Sequence, residues 1–308
     1  MNNYCYVCNV KLNASKQRVH GLHPSCFMEA FSLDKIADFK DVAIKHQESS
    51  KNPHESGSSK LTTSFFHGKF RKYSANLNGQ TYILKVQEEN YLELPVTEYL
   101  CNQIAVKLGV AVPKFALIEF QNSITAFVTR NFMQDYVASN LIHLYHFTND
   151  EKDWNCEFLI NLIAEKTGKL IEIERFVEVC LFDALIGNND RHGRNLGLIQ
   201  QGQKYILSPI YDNPSNVGVE LKELLGAQLE PRGSIATKAS QQPTMKDYVI
   251  EFNRLEYGYL NEKFLKKIEK KKDIIKSQID KSYLSIERKT ALRKLMNRRY
   301  LELANHVE

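Results

Sequence analysis

The sequence predicts an α+β protein of two lobes, a small β-rich amino-terminal lobe followed by a larger, all-helical carboxy-terminal lobe. Three observations point there. Short apolar runs rich in β-branched and aromatic residues follow one another in hairpin order between residues 80 and 130. From about residue 136 apolar residues recur at helical spacing, most clearly over 155–166, 171–187 and 261–305. Within that second part, one polar, Gly-punctuated stretch, residues 187–195, separates a helical apolar pattern (Phe176, Val179, Cys180, Phe182, Leu185, Ile186) from a strand-like piece at 196–199. A loop held at both ends by buried elements is a common place for chemistry.

The chain has 308 residues, 43% apolar and 25% charged, which suits a soluble globular protein with ample core. The expected division is a Cys/His-containing segment over 1–50, the β-rich lobe over 51–135 and the helical lobe over 136–308. No apolar run approaches the ~18 residues of a membrane span, and Met1-Asn2-Asn3-Tyr4 lacks the features of a signal peptide, so a cytoplasmic protein without membrane contact is expected. Cysteines 101, 156 and 180 sit in apolar helical contexts and read as buried thiols of a reducing compartment. The net charge of +5 is uneven, because residues 261–308 carry 14 Lys/Arg against 7 Asp/Glu. A basic end suits nucleic acid or acidic partners, but the interleaved Phe264, Leu265, Ile268, Ile274, Ile275 and Ile279 favour the solvated face of amphipathic helices.

Taken in order, the chain first offers Cys5-x-x-Cys8 and His23-x-x-Cys26, with His20 nearby. This is the spacing of a Cys₃His zinc set, and zinc lets so small a segment fold. A short hairpin and helix with incidental cysteines is the alternative. Residues 45–60 form a Ser/Gly/Pro-rich stretch with the composition of a flexible loop; the chain has no G-x-x-x-x-G-K-[ST] and no G-x-G-x-x-G. Strand signals follow at 62–66, 70–75 and 80–86, the last after an Asn78-Gly79 hairpin turn. Lys85 lies in the apolar run Tyr82-Ile83-Leu84-Lys85-Val86 and so requires an interior partner. Residues 94–108 read as a helix, with Pro95 at its start, Leu100, Ile104 and Leu108 on one face, and Glu98 in its first turn. Val112-Pro113 opens strands at 115–120 and 124–130, after which residues 126–132 lead from sheet to helices. Residues 218–232 read as a loop with a short helix.

Asp190 and Asn195 are five apart, the D-x-x-x-x-N spacing of a kinase catalytic loop, where Asp accepts the substrate hydroxyl proton and Asn holds a metal ion. Asp212 follows at the end of the run Tyr205, Ile206, Leu207, Ile210 and supplies a second hard oxygen for Mg²⁺. An Asx-rich turn stabilised by its own side chains is the plain structural reading of the same residues. Kinases also place a strand lysine on the α/β-phosphates and pair it with a helix glutamate, the roles expected for Lys85 and Glu98.

The stretch Gly187-Asn188-Asn189-Asp190-x-His192-x-x-Asn195, followed by Pro209-Ile210-Tyr211-Asp212, resembles the HipA family of bacterial toxin kinases over about residues 50–300. The resemblance implies a two-lobed protein-kinase-like fold and Ser/Thr protein kinase activity with ATP and Mg²⁺. The chain is short for the family and looks most similar to the HipT type, whose missing amino-terminal piece is a separate small protein, HipS. That implies a HipS-like protein and a HipB-like DNA-binding antitoxin as partners, DNA contact only through the antitoxin, and a protein substrate such as an aminoacyl-tRNA synthetase. It also implies that the loop around Ser56-Gly57, with Ser58 and Ser59, covers the ATP phosphates and is autophosphorylated. Thr129 and Asn131 fall on the hinge that binds adenine. His192 braces the catalytic loop or contacts phosphate, and Arg194 offsets phosphate charge. Two other readings fit the same loop: a phosphatidylinositol-kinase-like lipid kinase, from Asp190-Arg191-His192-x-x-Asn195, and a catalytically silent scaffold in a DNA-bound repressor complex.

Overall fold

The structure, a computed structural model, describes residues 4–12, 18–45, 72–121, 124–148, 153–220, 222–225 and 229–307. The expected strand at 62–66 and the serine-bearing loop lie outside these residues. The chain divides into two compact units, one of residues 1–99 and 113–137, the other of 100–112 and 138–308.

The first unit is built on an antiparallel sheet of β1 (Lys40–Lys45), β2 (Lys72–Leu77), β3 (Gln80–Val86), β4 (Phe115–Phe120) and β5 (Ile124–Arg130), in the order β1-β2-β3-β5-β4. Asn78 and Gly79 both take positive φ, 50° and 76°, the geometry of a type I′ turn whose twist matches that of the flanking strands. They join β2 to β3 with Leu77 opposite Gln80. β3 and β5 are central and buried on both faces, which is why their sequences are continuous apolar runs rather than alternations. Before the sheet, α1 (Pro24–Phe31) lies against β4, and its Phe27 and Phe31 form a ring cluster with Phe39 and with Tyr82 of β3, neighbouring ring centroids being 4.9–6.0 Å apart.

Helix α2 (Leu94–Leu108) has the expected bounds, and the division between units falls within it. The second unit is predominantly helical: α3 (Cys156–Thr167), α4 (Leu170–Ile186), α5 (Lys222–Leu225), α6 (Met245–Arg254), α7 (Gly258–Lys281) and α8 (Ile286–Ala304). The all-helical expectation needs one correction. A three-stranded antiparallel sheet, β6 (Asn140–His143), β7 (Gly197–Gln201) and β8 (Lys204–Leu207), lies in this unit, with β7 in the centre. The pairing of β6 with β7 is non-local, and four residues are too short a run to show alternation.

Helix α4 is the axis of the second unit, and every residue from 176 to 186 is buried. Gly187 ends it in the left-handed conformation at φ 71°, returning its N–H to the Asp183 carbonyl. A β-carbon there would lie 2.5 Å from Leu295 Cδ2 and 2.6 Å from Pro231 Cγ, so only glycine fits. The basic run of α7 is the solvated face of an amphipathic helix: Leu260, Phe264, Ile268, Ile275 and Ile279 are buried, while Lys263 and Lys267 reach Glu174 and Glu178 on α4 at 3.0 and 2.7 Å.

Candidate active site

Each unit holds its own set of candidate groups. In the first, the alternation of β3 puts Lys85 on the same face as its cross-strand partner Phe127, whose ring centroid is 5.8 Å from Nζ. Glu98, in the first turns of α2, meets Lys85 with both carboxylate oxygens, at 2.6 and 2.8 Å. Lys85 is 6% exposed and Glu98 1%. Two charges this well buried persist only when they are paired, since removing one partner costs about 3–5 kcal/mol. The strand lysine and helix glutamate expected from the sequence are brought together.

In the second unit, the polar loop between α4 and β7 is organised from inside. Asn188 donates through Nδ2 to Asp183 Oδ1 at 3.0 Å and accepts the Asp190 N–H at 3.1 Å. Asn195 Nδ2 donates to the Asp190 carbonyl at 2.9 Å, which directs the amide oxygen of Asn195 the other way. Asp190 itself is exposed, while Arg191 beside it is 1% exposed. The Arg191 guanidinium donates to both Asp183 oxygens at 2.7 and 2.9 Å, to the Asn195 carbonyl at 3.1 Å, to the Tyr211 carbonyl at 2.7 Å and to Asn213 Oδ1 at 2.7 Å. It therefore fixes the backbone of Asn195 and the residues on both sides of Asp212. Asp212 has φ 55°, a conformation that L residues other than Asn and Asp seldom take and that is found where the surroundings over-determine the backbone. A carboxylate at Asp212 and an amide oxygen at Asn195 are donor types that suit a small hard cation.

His192 takes the Arg194 N–H on Nδ1 at 3.2 Å. Burial lowers its pKa below the usual histidine value, although Asp190 and Asp212 work in the opposite direction. Through the Arg194 N–H the ring is tied to the backbone of its own loop. The Arg194 guanidinium carbon lies 5.4 Å from the centroid of the Tyr145 ring. Gly193 makes room for the close pass of residue 145: its carbonyl accepts the Tyr145 N–H at 3.2 Å, and a β-carbon there would sit 2.7 Å from Tyr145 Cβ.

The hinge residues are placed differently from the expectation. Thr129 is paired on both sides, opposite Ile83 and Phe115. The Asn131 N–H is spent on the Thr81 carbonyl at 2.9 Å, and its side chain caps the turn Phe132–Asp135 by accepting the Met133 N–H at 3.1 Å. The backbone groups that an adenine would need at Thr129 and Asn131 are thus committed. Ser56, Ser58 and Ser59 lie outside the described residues. The amino-terminal Cys5, Cys8, His23 and Cys26 do converge, their donor atoms all within 4.8 Å of one another. Burial acts to raise the Cys5 pKa, but the N–H groups of Cys8, His23 and Val7 bring the thiol down to about 7. Cys26 is pushed up to about 12 by burial and by its neighbours Cys5 and Cys8.

A family model for the HipA-like C-terminal domain matches residues 58–282. The chain belongs to the HipA-like family. Among curated proteins no sequence matches significantly. Among solved structures, the Helicobacter pylori proinflammatory kinase CtkA is similar with a TM-score of 0.61 and 18% identity, over 83% of this chain and 93% of CtkA. HipA of Shewanella oneidensis MR-1, solved with HipB and operator DNA, is similar with a TM-score of 0.57 and 15% identity, over 82% of this chain and 67% of that HipA. The fold is accordingly the kinase-like fold of this family.

Sequence reasoning named the family's polar loop but missed its internal support, Arg191 with Asp183, Asn188 and Asn213. One signal was available. Asp183 interrupts the apolar run Leu181-Phe182-x-Ala184-Leu185 in the buried half of α4, where a carboxylate must have a cationic partner.

Proposed function

We propose that this member of the HipA-like family is an ATP-dependent Ser/Thr protein kinase acting as the toxin of a toxin–antitoxin system of the HipT type. In this reading the γ-phosphoryl group of ATP passes to a protein hydroxyl, the bond to the β-phosphate oxygen breaks, and ADP leaves. Asp190 orients the hydroxyl and accepts its proton. Lys85, held by Glu98, binds the α/β-phosphates. Asn195 and Asp212 would hold Mg²⁺, which when bound neutralises charge on the β- and γ-phosphates. His192 keeps the loop in shape, and Arg194 offers a positive charge beside the base. Positioning and electrostatics supply the rate in such transfers, since little covalent chemistry falls to the protein.

The observation that carries this reading is the Arg191 clamp. A buried guanidinium that fixes Asn195 and both neighbours of Asp212 leaves an exposed Asp190 on a rigid loop. A mere Asx turn does not call for such support. A serine-bearing loop that is autophosphorylated, a translation component as target, and HipS-like and HipB-like partners extend the reading along the lines of the family. The likeness to a HipA solved with HipB and operator DNA supports the second partner.

The test is phosphotransfer from γ-labelled ATP with Mg²⁺, by wild type and Asp190→Ala, into protein extract and into phosphoinositide vesicles. Label in protein with wild type only supports the reading. Label in lipid transfers the chain to the lipid-kinase class, and no transfer at all leaves the scaffold reading.

A further inference from the structure

Outside the phosphotransfer groups, the chain gathers another set of side chains that the kinase reading does not use. Cys5 and Cys8 stand at the turn of a small hairpin, closed by the Cys5 N–H to the Val10 carbonyl at 3.0 Å and the Asn9 N–H to the Cys5 carbonyl at 2.9 Å. A second hairpin, with Val19 and Leu22 bonded to each other in both directions at 3.0 and 2.9 Å, turns at His20 and Gly21 with φ 49° and 78°. It delivers His23 to the N-cap position of α1 and Cys26 to its first turn. His23 Nδ1 is 3.4 Å from Cys8 Sγ and 3.9 Å from Cys26 Sγ. A tetrahedral zinc with bonds of about 2.3 Å to sulfur and about 2.0 Å to nitrogen sets its ligand atoms roughly 3.5–3.8 Å apart.

What this segment does for the fold is also visible. Among the described strands β4 is at the edge of the sheet beside β5, and a bare edge is a liability. The second hairpin covers it: the Glu119 N–H donates to the His20 carbonyl at 2.9 Å, His20 Nδ1 meets the Glu119 carbonyl at 3.1 Å, and Arg18 pairs with the Glu119 carboxylate. Gly21 is pressed against Glu119 Cγ and the Tyr6 ring, at 3.0 and 3.1 Å from where a β-carbon would lie. Tyr6, in the first hairpin, accepts the Tyr99 hydroxyl on its carbonyl at 3.4 Å. Among the described residues of this segment the buried apolar side chains are Cys5, Tyr6, Val19, Leu22, Phe27 and Phe31, and so small a unit holds its shape only with a metal, a disulfide or a larger body to pack on.

We propose that Cys5, Cys8, His23 and Cys26 bind one structural zinc ion, and that this zinc clamps the two amino-terminal hairpins over the β4 edge of the sheet. The site is closed, with four protein ligands, and takes no part in phosphotransfer. The proposal stands independently of the kinase reading.

The full chain, purified under reducing conditions without chelator, should contain one zinc per chain by elemental analysis. Cys8→Ser and Cys26→Ser should each lose it, whereas Cys101→Ala, on α2, should keep it. Co²⁺ exchanged into wild type should show the visible absorption of a tetrahedral, thiolate-rich site, a measurement that does not depend on the variants folding. In Cys8→Ser, or in wild type stripped by a chelator, hydrogen exchange at the Glu119 amide should rise at least tenfold. Wild type that takes up no zinc when reduced and given one equivalent, or that holds a disulfide among these cysteines, would overturn the site. Zinc retained in both serine variants would overturn the ligand set. Unchanged exchange at Glu119 after zinc loss would overturn the clamp.

Discussion

Arg191 and Asp183 form a buried bidentate pair, Nε to Oδ2 at 2.7 Å and Nη2 to Oδ1 at 2.9 Å. The three remaining N–H donors of the guanidinium go to the Asn195 carbonyl, the Tyr211 carbonyl and the Asn213 amide oxygen. One residue thus binds the end of α4, the polar loop after it and the segment around Asp212 into a single network. With no donor left over, the arginine is a positioning residue that has nothing to offer a ligand.

Arg191→Met should therefore separate stability from chemistry. It strands the Asp183 carboxylate in the interior and should cost about 3–5 kcal/mol. Adding Asp183→Leu removes the stranded charge, and the double variant should regain most of that loss in urea denaturation. Phosphotransfer should stay at least 100-fold below wild type in the double variant, because the backbones of Asn195 and Asp212 are no longer fixed. Recovery of both stability and activity would show that the clamp serves the fold alone.

Asp190 and Asp212 should behave differently from each other in stability and alike in activity. Asp190 is exposed, so Asp190→Ala should change stability by no more than about 0.5 kcal/mol while abolishing phosphotransfer. Asp212 occupies a left-handed conformation that glycine takes without strain. Asp212→Gly should accordingly raise the melting temperature, by up to about 1 kcal/mol in free energy, and still abolish phosphotransfer. Thermal melts beside the labelled-ATP assay decide it; an active Asp212→Gly enzyme would remove Asp212 from the metal-binding role.

These two aspartates also mark what sequence could and could not reveal. Asp190, Asn195 and Asp212 stand out in the sequence because the phosphoryl transfer proposed for them demands particular residue types at short spacing. The bounds of α2, β3, β4 and β5 are legible because hairpin turns and a proline-started helix punctuate local periodicity. Arg191 is not, because its five acceptor atoms belong to four residues from three separate stretches of chain and no local pattern encodes their convergence. β1 and β6 are missed for a related reason. Both are short, and β6 finds its partner β7 more than fifty residues away, so the pairing is dictated by tertiary structure.

Lys85 and Glu98 give a third expectation. Glu98→Gln keeps one acceptor for Lys85 but removes the countercharge from an ammonium that is 6% exposed. The lysine must then shed its proton or draw in water, at a cost of about 3 kcal/mol, and ATP affinity should fall at least tenfold. Lys85→Met with Glu98→Gln should be more stable than Glu98→Gln alone and bind ATP no better. Isothermal titration with ATP and Mg²⁺, beside denaturation curves, separates the two effects. Undiminished affinity in Glu98→Gln would mean that the pair supports only the sheet.

Ser56, Ser58 and Ser59 provide the last prediction, which rests on sequence and on the family's habits. They lie upstream of β2, on a stretch of loop composition. If that loop covers ATP, each added phosphate brings about −1.5 to −2 charge next to the phosphates of the nucleotide. Repulsion disfavours ATP binding, and autophosphorylation should be self-limiting. Intact-mass analysis of wild type should show added phosphate, absent from Asp190→Ala. In an Asp190→Ala background, Asp at positions 56, 58 and 59 should each weaken ATP binding, with Ser56→Asp having the largest effect because Gly57 beside it permits the closest backbone approach. The order of ATP affinities among the three variants tests the register of the loop, and equal affinity in all of them and in Asp190→Ala would rule out charge repulsion as the switch.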